Sequence, residues 1–283
     1  MITIGQHHTL RVTKITPFGA FFDADDLGEV LMPNKHGAKG LAVGDTQAVF
    51  IYLDSDDRPI CTLQKPKIRV GEFALLRVID SNSVGAFLDW GLDKDLLVPF
   101  AEQHRPMEVG RSYLVRAYID HTDGRIVASS KVDKFVEEDK PHGYSVKQAV
   151  NLIVANTTDL GFKAIINHHH WGVLYKEEVF QRLSFGQAIK GYIKFIRPDG
   201  KIDLTLQGGQ ETRDKYTHVI LNYLKRHNGY APVHDKSDPE QISLMFKMSK
   251  KAFKKTIGGL YKQKIIRIEN DGIYLLDRTE PKA

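Results

Sequence analysis

Several features that mark large classes of proteins are missing from this sequence. The 283 residues include one cysteine, Cys61, so the chain forms no internal disulfide and suits a reducing compartment. It has no run of about 18 apolar residues and no basic segment at its start, so we expect a cytoplasmic protein without a membrane span or signal peptide. Walker loops, dinucleotide fingerprints, zinc-ligand spacings and nucleophile elbows are also missing, and we therefore expect no cofactor, no metal and no catalysis.

Charge is distributed unevenly along the chain. Residues 210–283 hold 15 Lys and Arg against 9 Asp and Glu, and residues 141–209 have a net charge of +3. Residues 1–65 and 66–140 each have a net charge of −2. This gradient indicates a polyanionic partner for the C-terminal half of the chain.

The sequence contains a unit that recurs three times. Gly-Ala-Phe-Phe-Asp begins at Gly19, returns as Gly-Ala-Phe-Leu-Asp at Gly85, and returns more weakly at Gly161. Each copy is followed 25 residues later by a second glycine and 13 residues after that by an aspartate, at Gly44 and Asp57, Gly110 and Asp123, and Gly186 and Asp199. The constant spacing predicts three tandem small domains.

Within each unit, alternating apolar residues predict about five short strands, with a glycine at a sharp bend. Closure of five strands into a barrel removes the exposed sheet edges, so an OB-type barrel is the expected solution. The predicted fold is mainly β, with three five-stranded OB-fold (S1-like) barrels followed by a small α+β domain. The predicted domains are residues 1–65, 66–140, 144–208 and 210–280, with a longer joint over residues 134–142.

The C-terminal segment changes from strand to helix periodicity. Apolar residues recur at helical spacing from Thr212 to a stop at residues 228–229. Asp238 and Ser249 are predicted N-caps of two further helices. Residues 265–276 predict a hairpin around Asn-Asp-Gly with a type I′ turn. Three helices followed by a hairpin indicate a winged helix-turn-helix.

The repeated unit resembles the S1 RNA-binding domain, an OB-fold family. Phe-Gly-Ala-Phe at residues 18–21, Val-Gly-Asp at 43–45 and Asp-Gly-Arg-Ile at 123–126 match its pattern, and the resemblance covers roughly residues 1–206. In that family two aromatic residues of the bend and a histidine on the next strand stack on bases. The resemblance therefore implies single-stranded RNA as the partner.

Carried over residue by residue, the stacking set is incomplete in every unit. The first keeps Phe18 and Phe21 but has Leu31 for the histidine, and the second keeps only Phe87, with Val84 and Leu97 at the other positions. The third has Leu160 and Lys163, with Tyr175 assigned to the histidine position. Because phosphate neutralisation supplies most non-specific affinity, the basic third unit is the expected binder. Its candidate residues are Phe162, Lys163, Tyr175, Lys176, Lys190, Tyr192 and Lys194.

Phe18, Phe21 and Phe87 are secondary candidates, since a phenylalanine beside the bend either stacks on a base or fills the core. The first two units are also open to roles as spacers or as contacts for DNA or other proteins.

A lysine-rich stretch lies in the predicted winged helix. Residues 241–268 contain seven lysines and Arg267 but no acidic residue. The absence of acids favours phosphate contact over a merely solvated helix face. Few Arg, Asn or Gln residues stand where they could read bases, so sequence-specific major-groove recognition is not supported. The candidate phosphate-binding residues are Lys250, Lys251, Lys254, Lys255 and Arg267.

The order of three S1-like units and a winged helix resembles the conserved virulence factor B family of bacterial RNA-binding proteins. Residues 235–240 and 248–258 carry this resemblance most strongly. It implies a non-catalytic RNA-binding protein that affects the expression of other genes. Alternatives are a DNA-binding transcriptional regulator that uses the winged helix and a metal-dependent ribonuclease that uses Asp25 or Asp57. The histidines at 168–170 are interpreted as a polar loop rather than a metal site.

Overall fold

A computed structural model describes residues 2–136 and 143–276 of the protein. The structure divides into two compact units, Met1–Val136 and Glu137–Ala283. The mainly β fold with a helical C-terminal region is as predicted. The predicted joint at residues 134–142 falls mostly outside the described residues.

The first barrel consists of strands β1 to β5, which close in the order β1-β2-β3-β5-β4. The closing contact is a parallel pairing between β3 and β5, at Leu31 and Ile60. The strands are β1 (His7–Thr16), β2 (Gly19–Asp23), β3 (Glu29–Pro33), β4 (Thr46–Leu53) and β5 (Pro59–Thr62). A short 3-10 turn, Asn34–His36, follows β3.

The second domain repeats this plan with strands β6 to β10 in the order β10-β9-β6-β7-β8. Here β8 and β10 lie side by side without a hydrogen-bonded ladder, so the sheet is five-stranded but is not closed by backbone pairing. The strands are β6 (Phe73–Ser81), β7 (Gly85–Asp89), β8 (Leu96–Pro99), β9 (Ser112–Ile119) and β10 (Ile126–Ser129).

The third barrel is closed in the same strand order as the first, β11-β12-β13-β15-β14. Its strands are β11 (Ala149–Thr157), β12 (Gly161–Ile166), β13 (His170–Tyr175), β14 (Ala188–Ile196) and β15 (Ile202–Thr205). A 3-10 turn, Lys176–Glu178, follows β13.

Glycine is required at the two repeated positions for different structural reasons. At Gly19, an added Cβ would lie 2.1 Å from the carbonyl oxygen of Met32, so the close approach of β2 and β3 requires glycine. The second glycine adopts a positive φ, 97° at Gly44, and its N–H donates to the carbonyl of Val12 over 2.9 Å. Both features recur in the second and third domains, at Gly85 and Gly161 and at Gly110 and Gly186.

The C-terminal domain has the order expected of a winged helix. Helices α1 (Gly209–Arg226), α2 (Pro239–Phe246) and α3 (Lys250–Lys262) pack around a shared apolar core. Strand β16 (Tyr230–Ala231) pairs with β18 (Ile273–Leu275), which pairs with β17 (Ile266–Ile268).

The predicted N-caps are confirmed. The Asp238 carboxylate accepts from the Glu240 N–H over 2.7 Å, and the Ser249 hydroxyl accepts from the Ala252 N–H over 3.1 Å. The hairpin is also confirmed, but its turn is not type I′. Neither Asn270 nor Asp271 has a positive φ, which a type I′ turn requires at both central positions.

The first two domains share an apolar core. Phe50 and Tyr52 of β4 pack with Trp90, which follows β7, and the ring centroids lie 6.0 and 6.2 Å from that of Trp90. Trp90 is 2% exposed. No helix in residues 2–136 or 143–276 has the length and apolarity to cross a bilayer.

Candidate nucleic-acid interface

The strand register identifies which residues are equivalent on the outer faces of the three barrels. Phe21, Phe87 and Lys163 occupy one equivalent position, each opposite a residue of the following strand. Those opposing residues are Leu31, Leu97 and Val173. Val173, and not Tyr175, is thus equivalent to Leu31 and Leu97. The assignment of Tyr175 to the histidine position is therefore wrong, because Tyr175 lies two residues after Val173 and pairs with Gly161.

Tyr175 is held by polar neighbours. Its hydroxyl donates to the Asp203 carboxylate over 3.2 Å and accepts from Arg197, which also pairs with Asp203 over 2.8 Å. The Nζ atom of Lys194 lies 5.8 Å from the Tyr175 ring centroid, and Lys194 forms an ion pair with Glu178. The outer end of β13 thus carries an ordered aromatic ring amid two cations and two acids.

The β12–β13 face contains an aromatic residue that the sequence analysis did not select. The Nζ atom of Lys163 lies 4.0 Å from the ring centroid of half-buried Trp171, within cation–π distance. Trp171 stands opposite Ile165 in the register, on the same side of the sheet as Lys163. The sequence could have indicated Trp171, because successive side chains of a strand point to opposite faces. Trp171, Val173 and Tyr175 are each two residues apart on β13 and therefore share one face.

Phe162 lies on the opposite side of β12. It is half-buried, packs against the third barrel's apolar core, and faces Leu174 across the register. Lys176, in the turn after β13, is exposed. The structure thus places Lys163 and Tyr175 on the outer face and Phe162 toward the core.

Lys190 and Tyr192 lie on a different strand, β14. Together with residues of α1 and α2 they line a pocket of about 480 Å³ between the third barrel and the winged helix. Lys190 and Tyr192 therefore line the pocket, whereas Lys163 and Tyr175 lie on the β12–β13 face. Lys194 of β14 lies between these regions, because it is near the Tyr175 ring and pairs with Glu178 of the pocket.

The lysines of α3 also separate into two groups. The Nζ atom of Lys250 donates to the Lys236 carbonyl over 3.2 Å, and Lys254 lies 3.9 Å from the Asp235 carboxylate. Lys251 and Lys255 are exposed, and no carboxylate in the described residues pairs with them.

Lys262 extends the group formed by Lys251 and Lys255. It lies seven residues after Lys255 and eleven after Lys251, is exposed, and lies on the same face of the helix. The buried face of α3 carries Phe253, Ile257 and Leu260. The result is an exposed cationic stripe backed by an apolar core.

Arg267 on β17 is engaged within the hairpin. Its guanidinium lies 4.4 Å from the Tyr274 ring centroid and 3.2 Å from the Glu269 carboxylate. The Tyr274 hydroxyl donates to Asp271 over 2.5 Å, and this hydrogen bond raises the pKa of Tyr274 to about 12. Two acids of the hairpin thus lie near the one arginine predicted to contact phosphate.

The secondary aromatic candidates differ in accessibility. Phe18 is 66% exposed, whereas Phe21 and Phe87 are half-buried. The Nζ atom of Lys14 lies 6.0 Å from the Phe21 ring centroid. On the first barrel, Phe18 therefore offers an exposed ring, and the half-buried Phe21 ring lies near the Lys14 cation.

The acidic turn at residues 54–57 contacts the second domain. Asp57 accepts from Arg125 Nε over 2.9 Å and from Lys94 over 3.2 Å, and the Arg125 hydrogen bond holds the pKa of Asp57 below its usual value. This carboxylate therefore joins two barrels. In the described part of the chain, no three His, Cys, Asp or Glu side chains are placed to bind one metal ion.

Comparison with known families gives the class of the protein. Residues 4–64 match the S1 domain and residues 218–275 match the CvfB-like winged helix domain. Both are families of nucleic-acid-binding domains, and together with the fold they support nucleic-acid binding.

The relatives specify the resemblance further. The chain is 28% identical to the Bacillus subtilis protein YitL, over 95% of this chain and 93% of that one. It is 28% identical to conserved virulence factor B of Staphylococcus epidermidis, over 82% of this chain and 80% of the relative. For conserved virulence factor B of Staphylococcus aureus strain N315 the identity is 29%, over 83% and 81%. The resemblance to the conserved virulence factor B family is thereby confirmed.

Among solved structures, a multidomain protein with nucleic acid binding domains from Streptococcus pneumoniae aligns with 96% of this chain and 98% of its own. Its sequence identity is 22% and the TM-score is 0.41.

Proposed function

We propose that this protein binds single-stranded RNA, without catalysis, through its third S1-like barrel and its winged helix, and that it regulates gene expression after transcription. The observation that carries the proposal is the cationic stripe of Lys251, Lys255 and Lys262 on α3, which has no acidic partner among the described residues. Phosphate contacts by such lysines supply sequence-independent affinity. Residues 144–208 and 210–280 are the proposed binding domains.

RNA is favoured over duplex DNA by the side chains that α3 presents. Reading base edges in the major groove is mostly done by Arg, Asn and Gln. The exposed stripe of α3 consists of lysines, with Gly258 and Gly259 between Lys255 and Lys262, and an added Cβ at either glycine would meet no atom within 4 Å. OB-type barrels bind single strands through cations and aromatic rings, which the β12–β13 face provides.

The regulatory part of the proposal rests on the relatives named conserved virulence factor B. Such a role would place the protein in the cytoplasm, where the transcripts that it regulates are found. The first two barrels are proposed as a supporting unit, because their acidic turn is used for contacts between them.

The test is fluorescence anisotropy of the full chain with labelled single-stranded RNA and with duplex DNA, between 50 and 200 mM salt. We expect RNA to bind more tightly and its affinity to fall steeply with salt, by orders of magnitude if about six phosphates are contacted. Replacing both Lys251 and Lys255 by alanine should weaken binding and reduce the salt slope by about 1.4. Lys39→Ala, at an exposed lysine of the first barrel, is the matched control.

Affinity that does not change with salt would contradict the proposal. Tighter binding to duplex DNA would favour the DNA-binding regulator instead. A ribonuclease would require metal-dependent cleavage of RNA that Asp25→Ala abolishes. Asp57 is unsuitable for that test, because its replacement also removes contacts to Lys94 and Arg125.

A further inference from the structure

Aromatic side chains from three elements line the pocket between β14 and the winged helix, together with aliphatic and polar ones. Tyr192 comes from β14, Tyr216 from α1 and Phe246 from α2. Tyr192 and Tyr216 are half-buried, whereas Phe246 is 2% exposed and belongs to the winged-helix core. A volume of about 480 Å³ lies within the range of small-molecule sites, which are mostly apolar with a few polar groups.

Polar groups that could fix the orientation of a ligand also line the pocket. The hydroxyl of Tyr216 and the side-chain amide of Gln181 form no hydrogen bond with any residue that the structure describes. The carbonyl oxygen of the Gln207 side chain accepts from the Ser249 hydroxyl over 3.1 Å, which leaves its NH₂ group to donate elsewhere. The pocket thus offers donors and acceptors beside aromatic rings.

The charge of the pocket is suited to a polyanion. Two lysines, Lys190 of β14 and Lys247 at the end of α2, line it and are exposed. Glu178, the one acidic residue among the described lining residues, is paired with Lys194. Gln207 of the pocket also accepts a hydrogen bond from Ser249, the N-cap of α3, the helix that carries the cationic stripe.

The position of Tyr192 is set by Gly208. An added Cβ at Gly208 would lie 2.6 Å from two atoms of the Tyr192 ring, so the ring packs directly on this backbone. Gly208 has φ −172°, an extended conformation that any residue adopts. An alanine there would therefore displace the ring without straining the backbone.

The geometry points to a binding site for one unstacked base of a single-stranded RNA, held between Tyr192 and Tyr216 with its flanking phosphates on Lys190 and Lys247. Proteins recognise single-stranded RNA by splaying out bases, stacking them on aromatic rings and bonding their polar edges. This inference rests on the proposed function and names the site on the third barrel and winged helix at which a base is held. The face used differs from the β12–β13 face of the barrel.

The test uses the full chain and a labelled single-stranded RNA across a salt series. Tyr192→Ala should weaken binding by about 5- to 150-fold, because one base loses its stacking partner. The slope of affinity against salt should stay unchanged, since no phosphate contact is removed. Gly208→Ala should weaken binding in the same direction. Phe185→Ala, an exposed aromatic of the same barrel that does not line the pocket, is the control and should bind like the wild type.

A second readout is photocrosslinking with an RNA that carries 4-thiouridine, followed by identification of the labelled peptide. Crosslinks in the peptides containing Tyr192 or Tyr216 support the site. If both variants bind within twofold of the wild type and crosslinks fall only on the β12–β13 face, the inference is overturned while the proposed function stands. If the wild type shows no salt-dependent RNA binding, both are overturned.

Discussion

The N-terminal and C-terminal units use their charged residues in different ways. In the first unit, the carboxylates of Asp57 and Asp93 pair with cations of the neighbouring barrel, and aromatic rings fill the contact below them. In the second unit, lysines of α3 stand exposed without described acidic partners. Ion pairs such as Lys194–Glu178 also occur in the second unit, so what distinguishes that unit is the set of α3 lysines that have no described acidic partner.

The difference extends to the contacts between domains. The two N-terminal domains share one continuous apolar core. Between the third barrel and the winged helix, the structure has a pocket lined by aliphatic, aromatic and polar side chains. The apolar core shared by the first two domains favours a rigid pair of domains. The pocket beside the winged helix has apolar and polar side chains on its walls, which favours ligand binding.

The largest expected effect comes from breaking the shared core of the N-terminal unit. Trp90→Ala removes the ring that touches both Phe50 and Tyr52, and should lower the free energy of unfolding of this unit by about 3–5 kcal/mol. Denaturant titration followed by far-UV circular dichroism measures this. Trp171 then remains as the fluorescence reporter of the C-terminal unit, whose transition should not move. Phe100→Ala, at an exposed aromatic in the same unit, should change stability by less than about 0.5 kcal/mol.

A loss below about 1 kcal/mol for Trp90→Ala would show that the aromatic cluster is not what stabilises the pair of barrels.

The fold was predictable from the sequence because its signals are local. The glycines at fixed spacing mark a close strand approach and a left-handed turn, and the caps Asp238 and Ser249 are local hydrogen bonds. The prediction of a type I′ turn in the hairpin was wrong, because the Asn-Asp-Gly sequence permits several turn types.

The candidate site was less predictable, because it depends on register and on contacts distant in sequence. Tyr175 was assigned to the position that Val173 occupies, two residues earlier on β13. Because residues two apart on a strand lie on the same face, the alternation of apolar and polar residues gave no sign of the error. The pocket combines Tyr192 with Tyr216 and Phe246, which no local pattern connects. The pairing of Asp57 with Arg125 across two domains also has no local signal.

A smaller effect should come from the cap that joins the third barrel to the winged helix. Ser249→Ala removes the hydrogen bond to the Ala252 N–H and the one to Gln207, and should destabilise the C-terminal unit by about 1–2 kcal/mol. Asp238→Ala is the matched comparison, because this carboxylate caps α2 and bonds to no described residue of the third barrel. It should cost about 1 kcal/mol. Equal losses for the two variants would show that the Gln207 contact adds nothing.

The ion pairs of the N-terminal unit should make its stability pH-dependent. Hydrogen bonds from Lys35 and His36 lower the pKa of Asp93 to about 2. A carboxyl with a depressed folded pKa contributes stability that is present above its usual pKa of 3.8 and is lost as the pH falls toward 2. Because the pair is exposed and screened, we expect no more than about 1 kcal/mol. Asp93→Asn should flatten the pH dependence between pH 5 and pH 2 by that amount, and an unchanged profile would contradict the assignment.

The smallest expected effect concerns the exposed Phe18 ring of the first barrel. Phe18 is 66% exposed on an acidic domain, so its ring offers stacking without the phosphate contacts that supply most non-specific affinity. Phe18→Ala should therefore change the affinity of the full chain for single-stranded RNA by less than about twofold, or about 0.4 kcal/mol. Fluorescence anisotropy with the same labelled RNA measures the affinity of this variant and of the Lys251 and Lys255 double variant, so that the two losses can be compared directly. A loss of tenfold or more would mean that the exposed ring of the first barrel outweighs charge, and the principal RNA site would then lie in the N-terminal unit.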